Sequence, residues 1–242
     1  MPPCRLFHST LHEGLLELSV EESHHAIGSK RAKFGDEVTL FDGAGREATG
    51  RIAKVDRHRI HIDVARITTR PFDLVHRITL AVAVGKIHRQ GYLIEKCTEL
   101  GVAAIWPIIA GRSVSKPGPA AVEKWSRRAI EAAKQSGRCW VPTIAMPQAF
   151  PAVLARCGEF DALALTDTGS NDASFAAFLS AVREGSEILV LVGPEGGWTD
   201  DERKRAAENG AVLTNLGPTV LRTETAAVAV CAAAALGSVA RG

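Results

Sequence analysis

The chain has 242 residues, 46% of them hydrophobic, enough for one large domain or two modest ones with a real core, and disorder is not expected. Twenty-nine Lys and Arg against 27 Asp and Glu leave a net charge of +2, which excludes both a strongly basic tail protein and an acidic solvating one. Any nucleic-acid partner must be held by local patches, and 5% aromatic content argues against extensive base stacking.

Met1 to Thr10 has no continuous apolar stretch of the kind a secretory signal needs. The first seventy residues read as short strands separated by turns: Val38–Phe41, the turn dipeptide Asp42-Gly43, Glu47–Val55 and Arg59–Val64, with alternation such as Ile60, Ile62, Val64. A small β-barrel or sandwich is expected there. Thr68-Thr69-Arg70-Pro71 breaks the pattern and places a domain boundary, giving units 1–71 and 72–242. From Ile78 apolar runs alternate with longer helical patterns, the mark of an α/β domain with a mainly parallel sheet. The expected strands are Ile78–Val84, Val102–Ile109, Ala162–Leu165, Ile188–Val192 and Val212–Leu216. The expected helices are Gln90–Leu100, Ala120–Ser136, Asp172–Arg183, Thr199–Asn209 and Thr225–Val239. In the second, Val122, Trp125, Ala129 and Ala132 recur on one face. The longest apolar run, Ala226 to Leu236, is mostly alanine and far short of the roughly 20 residues that span a bilayer, so a soluble protein is expected.

Five cysteines at 4, 97, 139, 157 and 231, never spaced as CxxC, fit neither a disulfide framework nor a zinc ribbon and suit a reducing cytoplasm. All eight histidines precede residue 89, and no nearby His, Cys or Asp set has metal-ligand spacing, so no metal is expected. His24-His25 would point to opposite sides of an extended segment. Gly43 to Gly50 lies between strands and reads as a hairpin, not a dinucleotide loop. GxxxxGK[ST] and GxSxG are both absent.

Two late segments carry the sharper chemistry. Ile188 to Val192 runs into Gly193-Pro194-Glu195-Gly196-Gly197-Trp198, and Thr199 with Glu202 forms a capping box for the next helix. Ends of parallel strands host ligands in open α/β folds. The glycines let backbone approach a flat ligand with Glu195 at the mouth; a tight turn with a solvated Glu accounts for the spacing equally well. Val212–Leu216 then leads into Gly217-Pro218-Thr219-Val220-Leu221-Arg222-Thr223-Glu224-Thr225, where Thr223 or Thr225 is placed to cap the last helix. An Arg222–Glu224 surface pair is the bland account of the charges.

Together the GPEGG turn and LGPTVLRTETAA closely resemble the RsmE family of the SPOUT methyltransferase superfamily, the small-subunit ribosomal RNA uridine methyltransferases. Further matches are Glu95 to Val102, Arg112-Ser113, Gln135 to Arg138 and, in the first domain, His24-His25, Arg31, Gly35-Asp36 and Phe41-Asp42-Gly43. Ser29-Lys30 stands where the family usually has apolar residues. The resemblance implies a PUA-like RNA-binding barrel before a trefoil-knotted α/β domain that binds S-adenosylmethionine and works as a cytoplasmic homodimer. The knot loops would be Leu165–Thr168, Gly193–Gly197 and Leu216–Leu221.

It further implies a cofactor site of Leu165, Thr166, Gly193, Glu195, Gly196, Gly197, Leu216, Gly217, Leu221, Arg222 and Thr223. Arg31, Lys33, Arg112 and Arg138 are the expected RNA contacts, with Lys30 and, on later strands, Arg51, Lys54, Arg57 and Arg59 as further phosphate candidates. Methylating the imide nitrogen of uracil requires proton loss and stabilisation of the anion. Arg222 is the candidate cation. Glu195 or Glu224 is the candidate proton acceptor, directly or through water, or else a carboxylate that orients Arg222 or the dimer partner. The same chemistry on another RNA nucleotide and a noncatalytic RNA-binding assembly factor are the alternatives.

Overall fold

The computed structural model describes residues 3–56, 59–85, 87–113, 117–168 and 173–239, the side chains at 29, 30, 87, 88 and 239 excepted. Arg57 and Asp172, and the side chain of Lys30, therefore lie outside the described residues. The chain divides into two compact units, Met1–Phe72 with Ala133–Val141 and Asp73–Ala132 with Pro142–Gly242.

In the first unit, β1 (Cys4–Phe7), β2 (Gly14–Glu17), α1 (Val20–Lys30), β3 (Glu37–Phe41), β4 (Arg46–Val55) and β5 (Ile60–Thr69) follow in order. The sheet runs β1-β3-β4-β5-β2, parallel between β1 and β3 and antiparallel elsewhere. The period-two pattern does what a half-buried strand requires, and Ile60, Ile62 and Val64 all face the core. Asp42 closes the β3–β4 turn by accepting from Ala44 N (2.8 Å) and Arg46 N (3.0 Å).

The all-strand reading of this unit fails at α1. Ser19 Oγ caps it by accepting from Glu22 N at 3.1 Å, and the helix is fastened to the sheet because Ser23 Oγ accepts from Ile60 N at 3.0 Å. The Ser19-x-x-Glu22 spacing is a helix-start signal that the strand reading passed over. His24 and His25 consequently sit on a helix and not on an extended segment.

Residues 133–141 fold with this unit through side chains that no local pattern announces. Trp140 Nε1 donates to Pro71 O (2.9 Å), and its ring lies so near Gly45, at φ +92°, that an added Cβ would sit 2.3 Å from the indole. Lys134 pairs with Glu22. Glu47 accepts from Arg5 and from Arg70 Nε and Nη2 (3.0 and 2.8 Å), with Cys139 Sγ at 3.5 Å.

The second unit is built on β6 (Arg77–Ala83), α2 (Ile87–Glu99), β7 (Ala104–Ile109), α3 (Pro119–Ser136, whose last turn belongs to the first unit), β8 (Thr143–Ile144), β9 (Gln148–Ala149) and α4 (Phe150–Leu154). It continues with β10 (Ala162–Thr166), β11 (Ala173–Ser174), α5 (Phe175–Ala181), β12 (Glu187–Val192), α6 (Asp200–Glu208), β13 (Val212–Asn215) and α7 (Thr223–Val239). The strands pair in the order β11-β13-β10-β12-β6-β7-β8, with β9 also on β7, and every pair is parallel. Nearly every residue of β6 and β12 is buried, as strands covered on both faces must be. Helix α5 is shorter than the expected 172–183, because Ala173-Ser174 joins the sheet edge and Ser174 Oγ then caps the helix at Ala177 N.

Glu47 ties pH to the stability of the first unit. Burial, the largest single influence, pushes its carboxyl up, but the hydrogen bonds from Arg5 and Arg70 outweigh it and hold it below its ordinary 4.5. Its contribution is therefore complete above about pH 4.5 and is lost as pH falls through the lower folded-state value. Glu47→Gln is expected to cost about 2 kcal/mol at neutral pH and to flatten the acid limb; urea midpoints followed downward through about pH 4.5 check this, and identical acid limbs would contradict it.

Candidate functional site

Strand β10 lies between β12 and β13, all three parallel, so their C-terminal ends open on one edge of the sheet. The three following turns, 166–168, 193–197 and 216–221, line one cavity of about 310 Å³. Expected residues Thr166, Gly193, Glu195, Gly196 and Gly197 are in its wall, as are Leu216, Gly217, Leu221 and Thr223. Leu165 is not: its side chain is in the core with Leu163, Leu189 and Leu191. Arg222 stands exposed between two lining residues, and no described residue pairs with its guanidinium.

The GPEGG turn is held from several directions. Thr199 and Glu202 form the capping box, with Thr199 N donating to Glu202 Oε2 (2.8 Å) and Glu202 N to Thr199 Oγ1 (3.2 Å). The other oxygen of the buried Glu202 accepts from Gly111 N at 2.8 Å, fastening the loop after β7 to the start of α6. Arg112, on that loop, lines the cavity and donates to Gly196 O at 2.6 Å. Trp198, 1% exposed, donates from Nε1 to Thr166 O at 3.0 Å and packs on Phe150. Gly193 is required by that ring, since an added Cβ would lie 2.9 Å from the indole. Close approach here is thus between the turn and its own tryptophan. Gly217, at φ +126°, is in a conformation side-chain-bearing residues rarely adopt.

The charges arrange differently from the sequence expectation. Glu224 does not pair with Arg222; its Oε1 lies 3.5 Å from Arg89 Nε on α2, and the same guanidinium also pairs with Glu195. Arg89 therefore joins the GPEGG turn to the first turn of α7. Sequence reading missed it, although the rule that ligand sites gather at carboxyl ends of parallel strands, applied after β6, points to the start of α2. Asp167 and Arg203 were missed as well: both line the cavity, and Arg203 Nε donates to Asp167 Oδ2 at 2.8 Å and Nη1 to Trp198 O at 2.9 Å. That hydrogen bond to Asp167 raises the guanidinium above its ordinary value and keeps it charged. Neither Thr223 nor Thr225 caps α7, which begins at Thr223; the Thr223 hydroxyl donates instead to Gly193 O at 2.9 Å, linking the start of α7, just after the third turn, to the second.

The expected RNA contacts divide between the units. Arg112 is at the cavity. Arg138, in the first unit, is buried with its guanidinium 5.9 Å from the centre of the Phe72 ring and its carbonyl accepting from Arg5. Arg31 and Lys33 are exposed on the first unit, without a carboxylate partner among the described residues. Arg51, Lys54 and Arg59 pair with Glu37 (2.8 Å), Asp56 (2.8 Å) and Glu17 (2.5 Å). Among the described residues no cluster of three His, Cys, Asp or Glu is placed to hold a metal, and no helix is long and apolar enough to cross a membrane.

Residues 73–235 match the family model for an RNA methyltransferase domain, and 18–65 match an RNA methyltransferase PUA domain. The chain is 33% identical over 214 residues to the ribosomal RNA small subunit methyltransferase E of Bacillus subtilis, covering 85% of this chain and 84% of that one. It is similar to the crystal structure of a ribosomal RNA small subunit methyltransferase E from Neisseria gonorrhoeae bound to S-adenosyl methionine, at 28% identity, a TM-score of 0.85 and 96% coverage of both chains. A methyltransferase from Legionella pneumophila in complex with bound SAM gives 27% identity, a TM-score of 0.88 and 98% coverage of both.

Gly193→Ala is expected to lower stability by about 1–3 kcal/mol and to alter tryptophan emission, because neither the buried Trp198 ring nor its bond to Thr166 leaves room for a methyl. Chemical denaturation followed by fluorescence tests it, and a parental midpoint with a parental spectrum would refute the packing account.

Proposed function

Because this chain belongs to the RsmE family of RNA methyltransferases, we propose that it transfers the methyl group of S-adenosylmethionine to small-subunit (16S) ribosomal RNA, at N-3 of a uridine, giving 3-methyluridine. The observation that carries this is the meeting of three strand-end turns at one cavity, with an arginine between two of its lining residues that has no partner among the described residues. About 310 Å³ falls in the range of small-molecule sites. The walls combine backbone groups of the turns with the apolar side chains of Val192, Leu216, Leu221 and Ala226, a chemistry that suits a nucleoside bearing a sulfonium. Bound there, the cofactor supplies an electrophilic methyl group.

The chain's own residues have the rest of the work. Thr166, Gly193, Gly196, Gly197, Leu216, Gly217 and Leu221 hold the donor, while Thr223, its hydroxyl committed to Gly193 O, keeps two turns together. Uracil N-3 carries a proton between two carbonyls, and removing it spreads negative charge over both oxygens. Arg222 faces no competing carboxylate among the described residues, and its planar set of donors matches that pair of oxygens. Glu195 takes the proton, directly or through water, with Oε2 free of hydrogen bonds among the described residues. Glu224, the more buried of the two at 14% against 51%, holds Arg89 in position. Arg112 contacts RNA at the cavity, and Arg31 with Lys33 contacts phosphate on the PUA unit. Arg138, buried against Phe72, supports its own unit, and the phosphate contacts are assigned to the exposed Arg31 and Lys33 in its place. The homodimer and trefoil knot implied by the resemblance belong to the same proposal.

Incubation with undermethylated small subunits and S-adenosylmethionine, followed by mass analysis of nucleosides, is expected to yield 3-methyluridine; ribose methylation alone would defeat the choice of acceptor. Arg222→Ala is expected to slow single-turnover transfer by roughly 100-fold or more while calorimetric affinity for the cofactor stays within about threefold of the parent. Unchanged single-turnover rates would remove Arg222 from the chemistry.

A further inference from the structure

Phe34 is 75% exposed, the most exposed aromatic side chain among the described residues. It occupies a tight turn in which Lys33 N donates to Asp36 Oδ2 (2.8 Å) and Asp36 N to Lys33 O (3.1 Å). The turn is pinned to β4 by Gly35 N to Ile52 O (2.8 Å) and Ile52 N to Asp36 O (2.9 Å). On either side Ala32 and Val38 go into the core, so the ring is presented to solvent by construction.

Two cations flank the ring: Arg31 and Lys33 have no carboxylate partners among the described residues, Glu37 is paired with Arg51 at 2.8 Å, and Asp36, held by Lys33 N, keeps its negative charge on the far side of the turn from Arg31 in sequence. Arg31, the one non-glycine residue among those described with positive φ (+54°), is the left-handed C-cap that ends α1 and leads into the turn. The whole turn falls within the residues that match an RNA methyltransferase PUA domain.

We propose that Phe34 is a stacking platform for one unpaired RNA base, with Arg31 and Lys33 holding the phosphates on either side of that nucleotide. A ring on a narrow turn has no access to bases inside a duplex, whereas a splayed nucleotide offers a π-face of any sequence and two flanking charges. This rests on the reading of the chain as an RNA methyltransferase and deepens it: the first unit then recognises a single-stranded feature of the substrate RNA.

The test uses the full chain, a short unstructured RNA and a duplex of equal length. Phe34→Leu keeps apolar bulk and removes the π-face; it is expected to weaken single-strand binding by roughly tenfold, leave duplex binding unchanged and preserve the thermal midpoint. Phe34→Trp restores binding. The dependence of affinity on salt stays parental in Phe34→Leu and becomes shallower in the Arg31→Ala, Lys33→Ala double variant, because only the latter removes phosphate contacts. Parental single-strand affinity in Phe34→Leu, or equal losses on both RNAs, overturns the stacking proposal alone, provided that the parent binds S-adenosylmethionine and RNA. A parent that gives no heat with S-adenosylmethionine sinks the enzymatic reading instead, and one that binds neither RNA sinks both.

Discussion

The parallel packing of β10 between β12 and β13 is the constraint from which the site follows. Parallel neighbours put their C-terminal ends on the same side, so turns separated by up to fifty residues of chain are obliged to meet. Antiparallel placement of either neighbour would send one turn to the opposite edge and leave no cavity. The apolar content of β12 and β10 is what makes that central position stable, because a strand there is covered on both faces.

Around that edge a small set of polar links converts proximity into a defined shape. Thr223 to Gly193, Trp198 to Thr166, Arg203 to Asp167 and Arg112 to Gly196 each bind one turn to another turn, to an adjacent loop or to a neighbouring helix. Glu202 is the junction with most connections, since one carboxylate both completes a helix cap and accepts from Gly111 N. Such links exclude many alternative loop conformations, which is how a site made largely of glycine and backbone is kept from collapsing. Arg89 extends the network electrostatically by pairing with carboxylates from two different turns.

Away from the edge, the first unit follows a different rule. Its sheet is mostly antiparallel and half exposed, so surface side chains on turns carry its contacts with solvent and, in our reading, with RNA. The partly buried Arg5–Glu47 pair, which the exposed Arg70 joins, serves packing instead, and the buried Arg138 lies among the same contacts. Exposure and pairing, and not charge alone, separate the two classes of arginine.

What could be read along the chain is whatever has a local period or a local cap. The parallel-strand runs, the Ile60–Ile62–Val64 alternation, the Thr199–Glu202 box and the two glycine-containing turns all follow from interactions within a few residues. The family resemblance added the cofactor and the reaction class because its motifs are those same turns. Sequence alone did not determine that Leu165 faces the core, that Glu224 turns from Arg222 to Arg89, or that 133–141 folds with the first unit. Those outcomes depend on contacts between residues far apart in the chain: sheet order chooses the neighbours, burial chooses the face, and a charge finds its partner only after both have been decided. No spacing in the sequence records such a choice, so tertiary structure had to make it.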